Sequence, residues 1–139
     1  MKKRAICMTK YDVERLENLL AAAEANPQNR NRQDLKDLRE ELSRARILEP
    51  ADMPPTVVTM NSRVRLRDAD TDEVMEYTLV FPDDADFDLG RISIMSSVGT
   101  AILGYSVGDT VAWTMPGGRR RLKIEALPYQ PEKAGDWHL

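Results

Sequence analysis

Apolar and polar positions alternate along this chain with two different periods. Val13, Leu16, Leu20 and Ala23 recur at three- and four-residue steps, spacing that lines one face of a helix. The pattern predicts a helix from about Lys10 to Ala25, with Thr9 as N-cap and Asp12 three residues on, a capping-box-like pair. Asn26-Pro27 ends it, because a residue before proline avoids the helical region. Leu35, Leu38, Leu42 and Ala45 repeat the spacing and predict a second helix over Arg30 to Leu48. Two narrow seams joined by a short polar loop read as an antiparallel helical hairpin, a short coiled coil. The competing reading lays both helices flat on a sheet. Ala5 to Met8 reads as a short extended lead-in.

From Val57 onward the period is two. Val57 to Met60 and Arg63 to Arg67 predict opening strands, and Ala69 to Asp72 a turn. Met75, Tyr77, Leu79 and Phe81 alternate inward on the next strand. Pro82 to Asp88 is a loop with four aspartates. It lacks the glycine and closing glutamate of an EF-hand, so it reads as a solvated loop. Ile92 and Ile94 alternate again. Ser96 and Ser97 offer cap oxygens for a short helix over Val98 to Leu103, stopped by Gly104. Val111, Trp113 and Met115 share a face, Pro116-Gly117-Gly118 is a tight turn, and Leu122, Ile124 and Ala126 return. Pro128 to Leu139 is a tail without helix signals, anchored by Tyr129, Trp137 and Leu139. It packs back on the hairpin or sheet, or joins a partner. The fold class is α+β: an antiparallel sheet with one short helix on its apolar face, behind the hairpin. Residues 1–49 form the hairpin. The proline-rich segment 50–55 is a stiff linker, and residues 56–139 form the sheet domain with its tail.

Charge narrows the function. The chain has 139 residues, net charge −3 and one cysteine. The first 50 residues are net +2 and the remainder net −5. A net acidic sheet domain does not wrap DNA, and a weak or indirect nucleic-acid contact is the most it suggests. Cys7 has no intrachain partner, in keeping with a reducing cytosol. The run after Lys2-Lys3-Arg4 is too short for a signal peptide, and no stretch is long enough to span a bilayer. A cytoplasmic protein is expected. His138 stands alone, so neither a zinc set nor a catalytic triad can be assembled. The glycines form neither a Walker loop nor a dinucleotide fingerprint. No cofactor, metal or small-molecule substrate is expected.

The segments TVVTMNSRVRLRD, ISIMSSVGTAILGYSVGDTVAW and MPGGRRRLKIEALPYQPEKAGDW, in this order behind a short helical N-terminus, resemble the regulator of nucleoside diphosphate kinase family. That family is a short relative of the Gre transcript-cleavage factors. The resemblance covers nearly the whole chain and implies an FKBP-like sheet domain that docks on RNA polymerase. Gre factors carry a longer coiled coil whose acidic tip enters the secondary channel and helps hold a catalytic magnesium. Here the tip is Asn26, Pro27, Gln28, Asn29 and Arg30, continuing to Arg32, without a carboxylate. Magnesium needs convergent oxygen ligands, so the resemblance implies docking without cleavage.

The implied function is a regulator that binds RNA polymerase near the secondary-channel entrance, competes with Gre-type factors and affects nucleoside diphosphate kinase levels. It is not expected to be an enzyme. Two alternatives stand beside it: an FKBP-type peptidyl-prolyl isomerase, and a direct protein regulator of a kinase. A DNA-binding role attaches only through the family. Polymerase contacts are assigned to Ser96, Ser97, Arg119 and Arg121. Ser96 and Ser97 lie where Gre factors contact the polymerase rim, although Met95-Ser96-Ser97 keeps only the middle residue of the Gre pattern. Arg63, Arg65 and Arg67, with Arg119, Arg121 and Lys123, point away from the core. If their strands are neighbours they form either a solvated face balanced by Glu125, Asp68 and Glu73, or a basic contact surface.

Overall fold

The computed structural model describes residues 6–29, 32–115, 118–136 and 139. Strand β1 (Cys7–Thr9) leads into helix α1 (Lys10–Glu24). Thr9 is the N-cap, its hydroxyl accepting the Asp12 N–H at 3.2 Å. Only this half of the capping box forms, because the Asp12 carboxylate turns towards other partners. A 3₁₀ turn at Pro27–Asn29 links α1 to α2 (Gln33–Ser43). Val13, Leu16 and Leu20 of α1 are buried with Leu35, Leu38 and Leu42 of α2. The two helices pack on each other, and α2 also reaches the later helix α3 (Ser97–Ile102). Each fully buried leucine contributes about 2–3 kcal/mol.

The second helix is shorter than its apolar spacing suggests. It stops at Ser43, and Arg46–Leu48 is strand β2, parallel to β1, with Cys7 opposite Arg46 and Thr9 opposite Leu48. The Arg46 N–H bonds the Ile6 carbonyl at 2.7 Å. That partner competes with the helical bonds the segment would otherwise make. After Pro50–Asp52, another 3₁₀ turn, Met53 is buried and Gln130 donates to the Pro54 and Val57 carbonyls at 2.8 and 2.7 Å. One continuous apolar cluster joins Leu16, Leu20 and Leu38 to Val58, Met60, Leu66, Ile102 and Ile124.

The main sheet has the order β5-β4-β3-β7-β6, from β3 (Arg63–Asp68), β4 (Val74–Val80), β5 (Arg91–Ser93), β6 (Thr110–Met115) and β7 (Gly118–Tyr129). It is antiparallel except that β5 runs parallel to β4, Thr78 opposite Arg91. The expected wholly antiparallel sheet is corrected there. The loop from Phe81 to Gly90 carries the chain back to the start of the pairing instead of turning tightly. That loop holds two one-turn helices, Pro82–Asp84 and Phe87–Leu89. The expected strand over Val57 to Met60 is a single bridge, Val57 to Ser106, followed by a turn in which Asn61 has φ +66°. Val64, Leu66, Leu79, Val111, Leu122 and Ile124 are buried beneath the helices.

Helix α3 lies against β5 and β6. Gly99 permits the approach, since a Cβ there would overlap the Ser93 carbonyl oxygen and sit 3.0 Å from Leu79 Cδ1. The tail is more ordered than its sequence signals suggest. Strand β7 runs to Tyr129, and Pro131–Ala134 forms a one-turn helix, α4, capped by the Gln130 side chain. Proline at the first helical position and Gly135 after the last make it a self-contained turn. Tyr129 donates to Asp136, a bond that pushes its phenol up to about 12. Gln130 and Glu132 bond residues Pro54, Val57 and Thr59, so residues 128–136 pack back on the chain. Trp137 and His138 lie outside the described residues, as do Pro116 and Gly117 of the tight turn.

Candidate docking sites

Ser96 is a structural cap. Its hydroxyl donates to the Ser93 carbonyl at 2.6 Å and accepts the Gly99 N–H at 3.1 Å. Thr100 adds a hydroxyl bond to the Ile94 carbonyl at 2.8 Å. The 93–97 loop is thus held rigidly, with the backbone of Ser96 and Ser97 at the helix start. Such a loop presents a fixed shape without ordering cost on binding.

Strands β3 and β7 are neighbours, with Arg67 opposite Lys123, so the arginines do share one outer face. It is not a free basic surface. Arg67 bonds Glu125 at 2.8 Å, Arg65 meets Glu76 at 3.6 Å, and Arg121 meets Asp70 at 3.0 Å. Arg119 is exposed and carries no ion pair among the described residues. Of the expected polymerase contacts, Arg119 is available and Arg121 must leave Asp70. Arg120, absent from the sequence-derived set, points to the opposite face. It bonds the buried Asp68 at 2.9 Å, and this bond, helped by the Asp70 and Thr71 amides, holds the Asp68 carboxyl below its ordinary range.

The hairpin tip is polar and self-bonded. The Asn26 side chain accepts the Gln28 N–H at 3.0 Å, and the Asn29 amide donates to the Ala23 carbonyl at 2.9 Å, closing the end of α1. The nearest described acid, Glu24, is held by Arg39 of α2, whose Nη2 donates to its Oε1 at 2.6 Å and whose Nε donates to its Oε2 at 3.1 Å. That bidentate bond keeps the Glu24 carboxyl below its usual value. Arg30 lies outside the described residues. Among the described residues no group of acids, histidines or cysteines could hold a metal ion, and no helix is long and apolar enough to cross a membrane.

A second polar centre went unseen in the sequence. Asp12 and Arg15, at the base of α1, meet the sheet domain there. Arg15 stacks between the Tyr11 ring at 3.8 Å and the Phe81 ring at 4.6 Å. The aromatic at 81 read only as an inward strand residue, so nothing in the sequence linked it to residue 15.

Comparison with known proteins places these features in a family. The model of the Rnk N-terminus matches residues 4–48, and that of the C-terminal part of transcription elongation factors GreA/GreB matches residues 53–129. The regulator of nucleoside diphosphate kinase of Escherichia coli K12 is 39% identical over the full length of both chains. A transcription elongation factor GreA of Chlorobium phaeobacteroides is 42% identical over 75% of this chain and 65% of its own. A solved GreA/GreB elongation factor structure from Nitrosomonas europaea superposes with a TM-score of 0.76 and 41% identity, covering 91% of this chain and all of that one. With a full-length match to one group and a Gre-type C-terminal half, the chain belongs to the family of regulators of nucleoside diphosphate kinase, relatives of the Gre transcription elongation factors.

Proposed function

We propose that this protein is a cytoplasmic transcription regulator that docks on RNA polymerase near the secondary-channel entrance. There it competes with Gre-type factors without stimulating transcript cleavage, and through transcription it affects nucleoside diphosphate kinase levels. The observation that carries the reading is the hairpin. A Gre-type sheet domain is joined to a helical pair whose described tip holds amides where a cleavage factor needs carboxylates. The 15 residues of α1 also extend only about 22 Å. The pair can occupy the channel mouth and has neither the reach nor the ligands for the active centre. The sheet domain contributes the docking surface, with the rigid loop at Ser96 and Ser97 as its centre and Arg119 and Arg121 as secondary contacts.

A competition titration against a Gre factor on core polymerase tests this reading, paired with a cleavage assay on backtracked complexes. The full chain should displace the Gre factor and leave cleavage at the intrinsic rate. Cleavage above that rate, or no displacement at saturating protein, defeats the proposal. Replacing Arg119 and Arg121 together by alanine should weaken competition by no more than about 1 kcal/mol per exposed pair lost. Most of that loss should come from Arg119, since Arg121 already has a partner. The deficit should shrink as salt is raised, because exposed charges are screened over about 8–10 Å. A deficit unchanged by salt would show that these arginines act through packing.

A further inference from the structure

The base of α1 holds a cluster that the docking function does not use. Asp12 is 2% exposed. From its own helix, the Arg15 guanidinium donates to Asp12 Oδ1. From the 59–62 turn, the Met60 N–H approaches Asp12 Oδ2 at 3.4 Å; the turn itself has no titratable side chain. From α4, the Glu132 carboxylate opposes the Asp12 charge while its Oε1 accepts the Thr59 hydroxyl at 2.6 Å. The two acids therefore hold adjacent residues of one turn. Arg15 extends the grip: besides its stacking between Tyr11 and Phe81, its Nη2 donates to the Leu139 carbonyl at 2.9 Å. Its Nε is buried without a hydrogen-bond partner among the described residues. An arginine whose Nε has lost water without finding an acceptor is held in place by what its remaining atoms touch. Those atoms touch the helix, the sheet domain and the tail at once.

We propose that Asp12, Arg15 and Glu132 form an interlock that fixes the helical pair against the sheet domain, and that this interlock loosens as pH rises from acid to neutral. It is independent of what the sheet domain docks on. Burial pushes the Asp12 carboxyl up to about 6; Arg15 and the Met60 amide pull it down and Glu132 adds to the rise. In an opened junction, water reaches the carboxyl and restores its ordinary value of 3.8. For an acid raised in the closed state, the stabilisation is full below the ordinary value and is lost as pH rises through the raised one. The closed-to-open ratio should then fall about tenfold between pH 5 and pH 7.5.

Native-state hydrogen exchange on the full chain, read amide by amide by NMR and corrected for intrinsic rates, tests the interlock. The Met60 amide should lose about tenfold in protection between pH 5 and pH 7.5. It should be less protected than the Leu66 amide in the sheet at both values. Asp12→Asn should hold the Met60 protection within twofold across the range. Arg15→Lys keeps the charge but gives up the planar stacking, and should lower Met60 protection at both pH values. The proposal is overturned if Asp12→Asn keeps the wild-type pH dependence. Equal protection of Met60 and Leu66 at every pH also overturns it, because the junction then opens only with the whole fold.

Discussion

Gly104→Ala is expected to lower the thermal midpoint by about 10 °C. Gly104 closes α3 with φ +82°, and a Cβ there would overlap Ile6 Cβ and lie 2.6 Å from its Cγ2. Ile6 cannot easily yield. It is 1% exposed, and its carbonyl anchors β2 through the Arg46 amide. Gly104 is itself tied down, its N–H bonded to the Val58 carbonyl at 2.9 Å. A left-handed alanine costs about 1 kcal/mol or somewhat more, and overpacking a well-filled site adds about 1–3 kcal/mol. The sum is about 3 kcal/mol, and at this chain length each kcal/mol moves the midpoint by roughly 3–4 °C. Gly135→Ala separates the two terms. Gly135 has nearly the same φ, +81°, and none of the described residues lies within 4 Å of an added Cβ. It should lose only the backbone part, about a third of the effect. Equal midpoints for the two variants in a calorimetric scan would show that Ile6 does not abut Gly104 as described.

The contact between Ile6 and Gly104 also marks the limit of what could be read from the sequence. Local signals were legible where one residue type has one physical use. Thr9 and Ser96 accept the amides of Asp12 and Gly99, Gly104 ends α3, and the alternation at 63–67 puts Val64 and Leu66 inside. What failed was information that side-chain period does not hold. Ala45 continues a helical seam as well as it precedes a strand, so β2 became visible only beside β1. A two-residue period is the same for either strand direction, so β5 could not be known to run parallel to β4. The α4 turn was legible in principle: Pro131 and Gly135 bracket it in the order that helices favour. At the docking sites, the alternation correctly put Arg65, Arg67 and Arg121 outside with Glu125 as a balancing acid, yet Glu76 and Asp70 come from another strand and a turn, and Asp68, read as balancing that face, is buried with Arg120. Asp12 is the sharpest case. In sequence it is a capping residue; in the fold it is a buried carboxyl shared with Arg15 and Met60.

Ser97→Glu should leave the fold intact and weaken competition with a Gre-type factor at least about tenfold. Ser96 is the N-cap and residue 97 the first helical position, where a carboxylate is tolerated and even slightly favoured by the free amides of the first turn. The melting curve should therefore stay within a few degrees of wild type. The substitution nonetheless places a long charged chain beside a loop whose backbone is fixed by Ser96 and Thr100, so the loop cannot move to make room. If the polymerase seats on this loop, about 1.4 kcal/mol of lost binding gives the tenfold change. Ser96→Ala is the informative contrast. It removes the hydroxyl that accepts the Gly99 N–H and donates to the Ser93 carbonyl, with a stability loss of about 0.5–2 kcal/mol, while adding neither bulk nor charge. Its melt should fall and its competition should be less impaired than that of Ser97→Glu. If Ser97→Glu melts and competes like wild type, the polymerase does not seat on this loop. The free Arg119 side of the outer face then becomes the surface to mutate next.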